Sequence, residues 1–218
     1  MKKFFIGTTN PNKIREIGGI LRSTGCEFEP IGTVDPEETE DNFEGNAIIK
    51  ALAYAKASRG ITISEDSGIL IPSLNNLPGP WSARFSDCKL EKENGIYRIL
   101  EYHESALSRE DIDRKNNELV LDLMKDVPFS KRVAKFCVIL IVANERGNIL
   151  FKASGESTGW ISTEMHGMNG FGYDPIFVGG DTHGKTYAEL DNMRKNLRSH
   201  RKKVLDEFKA WLGFYLKK

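Results

Sequence analysis

The chain predicts an α/β fold, and three stretches carry that prediction. Lys3–Gly7 is a short apolar strand that meets an Asn10-Pro11 helix start, which makes a strand, tight loop and helix. Residues 42–58 form an alanine-rich amphipathic helix that feeds directly into the apolar strand Ile61-Thr62-Ile63. Val133–Ala143 and Ile149–Ile161 are β-rich runs joined by the turn Asn144-Glu145-Arg146-Gly147, a hairpin by its turn chemistry.

Composition narrows the function. With 218 residues the chain can bury a sizeable core as one domain or two closely packed lobes. Its 31 basic and 31 acidic side chains give a net charge of 0, so an anionic ligand must be held by a local basic cluster. That argues for a small anion and against a nucleic-acid duplex. Cys26, Cys88 and Cys137 are widely spaced and lack metal-ligand spacing, as expected of ordinary thiols in a reducing compartment. The opening apolar run is too short for a signal segment, and no later run reaches the roughly 18 residues of a membrane span. A cytoplasmic protein with no membrane partner is expected.

The elements follow in order. After the first strand, the helix from Pro11 carries Ile14, Ile17, Ile20 and Leu21 on one face. The helix at residues 42–58 has the stripe Ala47, Ile48, Ala51, Leu52 and Ala55, with Asn42, Asn46 and Lys50 on another face. The strand ending in Glu65-Asp66 is expected to run out into the turn Ser67-Gly68. Asn75 to Pro80 is an irregular loop, and two helices are expected to fill the charged segment of about 88–127, the second opening with Ser108-Arg109-Glu110-Asp111. The chain closes on an amphipathic helix using Val204, Leu205, Phe208, Trp211, Leu212 and Tyr215.

Two acids at the carboxyl end of a strand suggest chemistry, because ligand crevices of open α/β sheets lie beyond those ends. Thr8-Thr9-Asn10-Pro11-Asn12-Lys13 joins a strand to a helix, so N–H groups and the positive end of the helix dipole suit phosphate, with Lys13 one turn inside. It is not a Walker loop, since the G-x-x-x-x-G-K-[ST] spacing is missing. The acidic run from Asp35 to Asp41 can bring one acid, such as Glu38, near Asp66, and two carboxylates with phosphate oxygens give magnesium its oxygen shell. Lys195, Ser199, His200 and Arg201 form a donor cluster. Phe171 and Tyr173, flanked by glycines, are either a stacking platform for a base or core aromatics.

The motif order resembles the Ham1/inosine triphosphatase family. It runs Thr8-to-Lys13, Asn42-Phe43-Glu44-Gly45-Asn46-Ala47 through Lys50, Glu65-Asp66-Ser67-Gly68, Pro78-Gly79-Pro80-Trp81-Ser82-Ala83-Arg84, Phe171-Gly172-Tyr173-Asp174, Lys185-Thr186 and Ser199-His200-Arg201. The resemblance spans nearly the whole chain and implies one Ham1-like domain over 1–218. Its fold would be an elongated, two-lobed α/β structure (Maf/Ham1-like) around a central mixed sheet, with the active cleft between the lobes, usually as a homodimer. It further implies magnesium-dependent hydrolysis of ITP, dITP and XTP, which are non-standard purine nucleoside triphosphates, to the monophosphate and pyrophosphate. Carried over, Thr8, Thr9, Asn10 and Lys13 hold the phosphates, Glu38 and Asp66 ligate magnesium, and Asp66, Lys13 and Lys50 are catalytic. Ser67 and Lys50 complete the phosphate shell; Phe171, Gly172, Tyr173 and Asp174 shape the base pocket; Lys195, His200 and Arg201 read the purine.

The chain departs from that pattern at four positions. Gly45 stands where many members have an acid, Thr9 where they have glycine, Glu65 where they have aspartate and Trp81 where they have tyrosine. The segment from about 88 to 117 is also longer than usual. Two other functions fit parts of the pattern: a house-cleaning pyrophosphatase for pyrimidine or modified triphosphates, as in the Maf group, and a nucleotide sensor that has lost hydrolysis.

Overall fold

The computed structural model describes residues 2–32 and 34–217. By its contacts the chain divides into two compact units, residues 1–67, 138–156 and 199–218, and residues 68–137 and 157–198. In order, the elements are β1 (Lys3–Gly7), α1 (Pro11–Leu21), β2 (Glu27–Ile31), α2 (Phe43–Ser58), β3 (Thr62–Ile71), β4 (Leu77–Pro78), β5 (Cys88–Glu93), β6 (Ile96–Tyr102), α3 (Arg109–Leu123), β7 (Val133–Ala143), β8 (Ile149–Ile161), β9 (Phe177–Gly179), α4 (Asn192–Arg198) and α5 (His200–Tyr215). The strand order is β2-β1-β3-β7-β8-β9, with β4 paired to β3, and the sheet is mixed: β1 runs parallel to β2 and β3, whereas β9 is antiparallel to β8.

In the first unit, strand alternation sorts the core onto two sides. Phe4, Ile6, Ile63, Val138, Leu140 and Val142 pack with Ile17 and Leu21 of α1 and with Val204, Leu205, Phe208 and Leu212 of α5. Ile141 and Ala143, of the opposite parity, pack with Ala47, Ala51 and Ala55 of α2. The small stripe lets α2 approach closely, and Gly7 extends that fit. A Cβ at position 7 would lie 2.7 Å from the Tyr54 ring.

The second unit is organised around Ile69, Ile71, Phe85, Phe136, Phe177 and Tyr187, against which Val120 of α3 packs. The buried Arg132 guanidinium ties the end of α3 to β8, donating to the Met124 carbonyl at 2.6 Å and the Ile161 carbonyl at 2.9 Å.

Two expectations need correction. Glu65 and Asp66 do not end a strand; β3 continues through Ser67 and Gly68 to Ile71, and both acids are buried mid-strand. Ion pairs make that placement tolerable, as described below. The segment of about 88–127 holds one helix, α3, preceded by the β5–β6 hairpin rather than by a second helix. Asn94 and Gly95 supply the reason, with φ of 50° and 83°, the paired positive values of a type I′ turn. Leu90, Tyr97 and Ile99 turn one face of that hairpin onto the core of the second unit.

Gly7→Ala forces its new methyl group into Tyr54 and should cost about 1–3 kcal/mol. Denaturant titration reads this directly, and an unchanged midpoint would remove the close approach of α2 to β1 from the description.

Candidate active site

A β-strand sends neighbouring side chains to opposite faces, and β3 uses this to give its two acids different partners. Glu65 shares the parity of Ile63 and points to the α1 and α5 side. Arg201, near the start of α5, donates from Nε to Glu65 Oε2 at 2.8 Å and from Nη2 to Oε1 at 2.7 Å, a two-pronged pair. Its Nη1 donates to Glu16 of α1, and Nη2 also reaches Ser67 Oγ at 3.3 Å. Lys13 Nζ stands 3.3 Å from Glu65 Oε1. Burial would push the Glu65 carboxyl up, but Arg201 and Lys13 outweigh it and hold the group well below the usual carboxylate range. For Lys13 burial dominates and lowers the ammonium, with Lys50 and Arg201 adding to that and Glu65 opposing it.

Asp66 points the other way, toward α2. Lys50 Nζ donates to Asp66 Oδ1 at 2.6 Å and to Glu38 Oε1 at 2.9 Å, so one ammonium draws two carboxylates together across 28 positions of sequence. Burial raises Asp66 even against the opposing charges of Lys50 and Lys13. Burial alone would lower Lys50, but Asp66 and Glu38 reverse its direction. Asp66 Oδ2 is buried and has no hydrogen-bond partner. Such an atom is costly unless something occupies it.

The loop that carries Glu38 is pinned by a carboxamide. Asn46 of α2 accepts from the Glu40 N–H and donates to the Glu40 carbonyl, both at 3.0 Å. Asn46, Lys50 and Tyr54, spaced four apart, form a buried polar face of α2. The Glu40 side chain also fills the room above Gly45, where a Cβ would meet its Cγ at 2.5 Å. Glu44 is drawn away to Lys152 at 2.5 Å.

At the end of β1, Thr8 Oγ1 accepts from the Asn10 N–H at 3.2 Å, and Asn10 caps α1 by accepting from the N–H groups of Asn12 at 2.9 Å and Lys13 at 3.3 Å. Two donors expected to face a phosphate are therefore engaged by the cap. Thr9 is exposed, and Lys13 keeps 14% of its side chain accessible.

The second unit assembles the other predicted residues. Asp174 Oδ2 accepts from the Phe171 N–H at 2.7 Å and from Lys195 Nζ at 2.6 Å. The same ammonium lies 4.6 Å from the centre of the Phe171 ring, a cation–π contact. Phe171 keeps exposed surface, whereas Tyr173 is a core residue whose hydroxyl donates to the Ser82 carbonyl at 2.9 Å. Trp81 lies 5.7 Å from Tyr102, with the Arg84 guanidinium over both rings at 4.8 and 5.2 Å.

The Ham1 family model matches residues 4–112 and 102–211 of the chain. The chain belongs to the Ham1 family. Among Ham1 relatives, the dITP/XTP pyrophosphatase of Halalkalibacterium halodurans is 35% identical over 217 residues, covering 97% of this chain and 100% of the relative. That of Thermoanaerobacter sp. is 36% identical over 215 residues, covering 96% of each. A solved HAM1 protein from Coxiella burnetii superposes with a TM-score of 0.76 at 30% identity, covering 98% of this chain and 99% of that one. The Ham1 protein of Staphylococcus aureus gives 0.74, also at 30% identity, covering 98% and 100%.

Within this Ham1 chain, the sequence does not single out Glu16 or Asn46 as site residues, or the pairing of Arg201 with Glu65 and Glu16. Asn46 had a signal in its alignment with Lys50 on α2; Glu16 had only its place one turn after Lys13.

Glu65→Gln strands a buried guanidinium and should destabilise the fold by about 3–5 kcal/mol. Because the folded Glu65 titrates below the ordinary value of about 4.3, its contribution is complete above that value and fades as pH falls toward the folded one. Unfolding free energies taken from neutral to acid pH should show the gap between wild type and variant narrowing on acidification. A gap that is small at neutral pH, or that widens in acid, contradicts the pairing.

Proposed function

We propose that this chain hydrolyses deaminated purine nucleoside triphosphates such as ITP, dITP and XTP to the monophosphate and pyrophosphate. The observation that carries the reading is the convergence of Glu38 and Asp66 on the Lys50 ammonium beside a buried Asp66 oxygen without a partner. The relatives' name, dITP/XTP pyrophosphatase, supports the same substrate class and gives no support to a pyrimidine enzyme or a non-hydrolysing sensor.

The donor set fits magnesium. Among the described residues no group of three or more His, Cys, Asp or Glu is placed to hold a metal. Two carboxylates suffice, because this hard ion keeps waters and takes its remaining oxygens from substrate phosphates. Glu38 and Asp66 would hold it, and the ion when bound supplies charge neutralisation at the phosphates.

Each residue then has a task. Asp66 orients a water and takes its proton as the water oxygen bonds to the α phosphorus, and the bond from that phosphorus to the bridging oxygen breaks. The pair of electrons leaves with pyrophosphate. Its raised carboxyl suits a base better than an ordinary aspartate would. Lys13 and Lys50 offset the charge gathering on the departing group, with Thr8, Thr9, Asn10 and Ser67 as hydrogen-bonding neighbours of the tail. Phe171 offers a ring face to the base, held by Gly172, Tyr173 and Asp174, while Lys195 and His200 supply donors that match a 6-oxo group and not the amino group of adenine; Arg201, expected to read the purine with them, has its donors committed to Glu65, Glu16 and Ser67. Refusal of ATP follows, since unpaired polar groups can cost about 10⁴-fold.

We further propose action in the cytoplasm as a homodimer. Three free cysteines suit a reducing compartment. Among the described residues no helix is long and apolar enough to cross a membrane.

Pyrophosphate release from ITP, XTP, ATP and dTTP in magnesium decides the matter. Turnover of ITP and XTP, with ATP and dTTP near background, is expected; no turnover of a 6-oxopurine overturns the reading. Asp66→Asn should remain folded and lose at least about 10²-fold in kcat, and wild-type turnover in that variant removes its role.

A further inference from the structure

The phosphate tail has an explicit set of holders, but the base-facing turn is a glycine-rich stretch that needs something to fix it. Gly167, Gly170 and Gly172 all have positive φ, and a Cβ at Gly172 would meet nothing within 4 Å. Glycine is therefore present at 172 for its backbone conformation and not for close packing. Left to itself such a turn samples many conformers.

Helix α3 removes that freedom. Asp113 Oδ2 accepts from the Gly172 N–H at 2.9 Å, and Asn117 Nδ2 donates to the Gly172 carbonyl at 2.8 Å. The two side chains lie four residues apart on one face of the helix and grip the peptide groups on both sides of one residue. Asn117 is braced in turn, donating to the Asp113 carbonyl at 2.7 Å, and Asp113 is paired with Arg109 at 2.9 Å. Arg109 also donates to the Ala83 carbonyl at 2.9 Å. Asn117 is 2% exposed, so this is a buried fixture. Neighbouring Asn116 fixes the next turn along, accepting from the Ser86 N–H at 2.7 Å and donating to the Ser82 carbonyl at 3.2 Å.

We propose that Asp113 and Asn117 are positioning residues for base recognition: by clamping Gly172 they set the orientation of the Phe171 ring and of the Asp174–Lys195 pair. This rests on the functional reading above. Neither residue touches the substrate. Their effect is to pre-organise a surface that otherwise has to be ordered at each binding event, so their loss weakens capture of the base and spares the chemistry at phosphorus.

Steady-state kinetics on Asp113→Ala and Asn117→Ala test it, with thermal unfolding run in parallel. KM for ITP and XTP should rise about tenfold, the scale of one hydrogen bond to a charged or fully buried group. At the same time kcat should stay within about threefold, and inhibition by inorganic tripolyphosphate, which has no base, should keep its wild-type constant. Asp113→Asn retains an acceptor toward Gly172 and should restore most of the lost KM. If Asp113→Ala does not fold, Asn117→Ala carries the test. Unchanged KM in a folded variant, or parallel losses in kcat and tripolyphosphate affinity, overturns the clamp while leaving the functional reading intact. Wild-type protein inactive on both nucleotides overturns the functional reading instead.

Discussion

Two adjacent carboxylates in the middle of one strand are the constraint on which the site depends. Burying either alone would be prohibitive, since an isolated ion in the interior costs several kcal/mol even after relaxation. The period of the strand separates them. Glu65 is delivered to α1 and α5, where Arg201 and Lys13 neutralise it, and Asp66 to α2, where Lys50 does. One acid becomes a structural fixture and the other keeps an oxygen without a partner, although they are neighbours in sequence.

This division explains the directions in which the groups titrate. Glu65 has more positive charge than it needs, so its carboxyl is held down and Arg201 is pushed above its already high value despite its burial. Asp66 shares Lys50 with Glu38 and keeps one oxygen without a partner, so burial wins and its carboxyl rises. A saturated pair gives rigidity, whereas an undersatisfied one gives a place for a ligand.

Much of the fold was legible because local signals agreed with it. Asn10-Pro11, the alanine stripe of α2 and the Asn144-to-Gly147 turn place β1, α1, α2, β7 and β8 within a residue or two of where they lie. The β5–β6 hairpin is masked in the sequence despite its Asn94-Gly95 turn, because charged residues crowd the half-buried alternation at Leu90, Tyr97 and Ile99. In the site, the closeness of Glu38 to Asp66 was legible in advance, whereas the Lys50 ammonium that joins them was not. Nor was the engagement of Arg201: Glu65 lies 136 positions away, and a pair of that separation leaves no local pattern. Asparagines at 116 and 117 were equally silent, since a carboxamide that braces backbone has the same letter as one facing water.

The account turns on Asp66, and not Glu65, being the acid that receives a divalent cation. The most direct measurement is the change of unfolding midpoint on adding magnesium, compared among wild type, Asp66→Asn and Glu65→Gln. Ligand that binds only the folded state must raise the midpoint. The account predicts a rise in wild type and in Glu65→Gln, from its lower baseline, and none in Asp66→Asn; an equal rise in Asp66→Asn would contradict it.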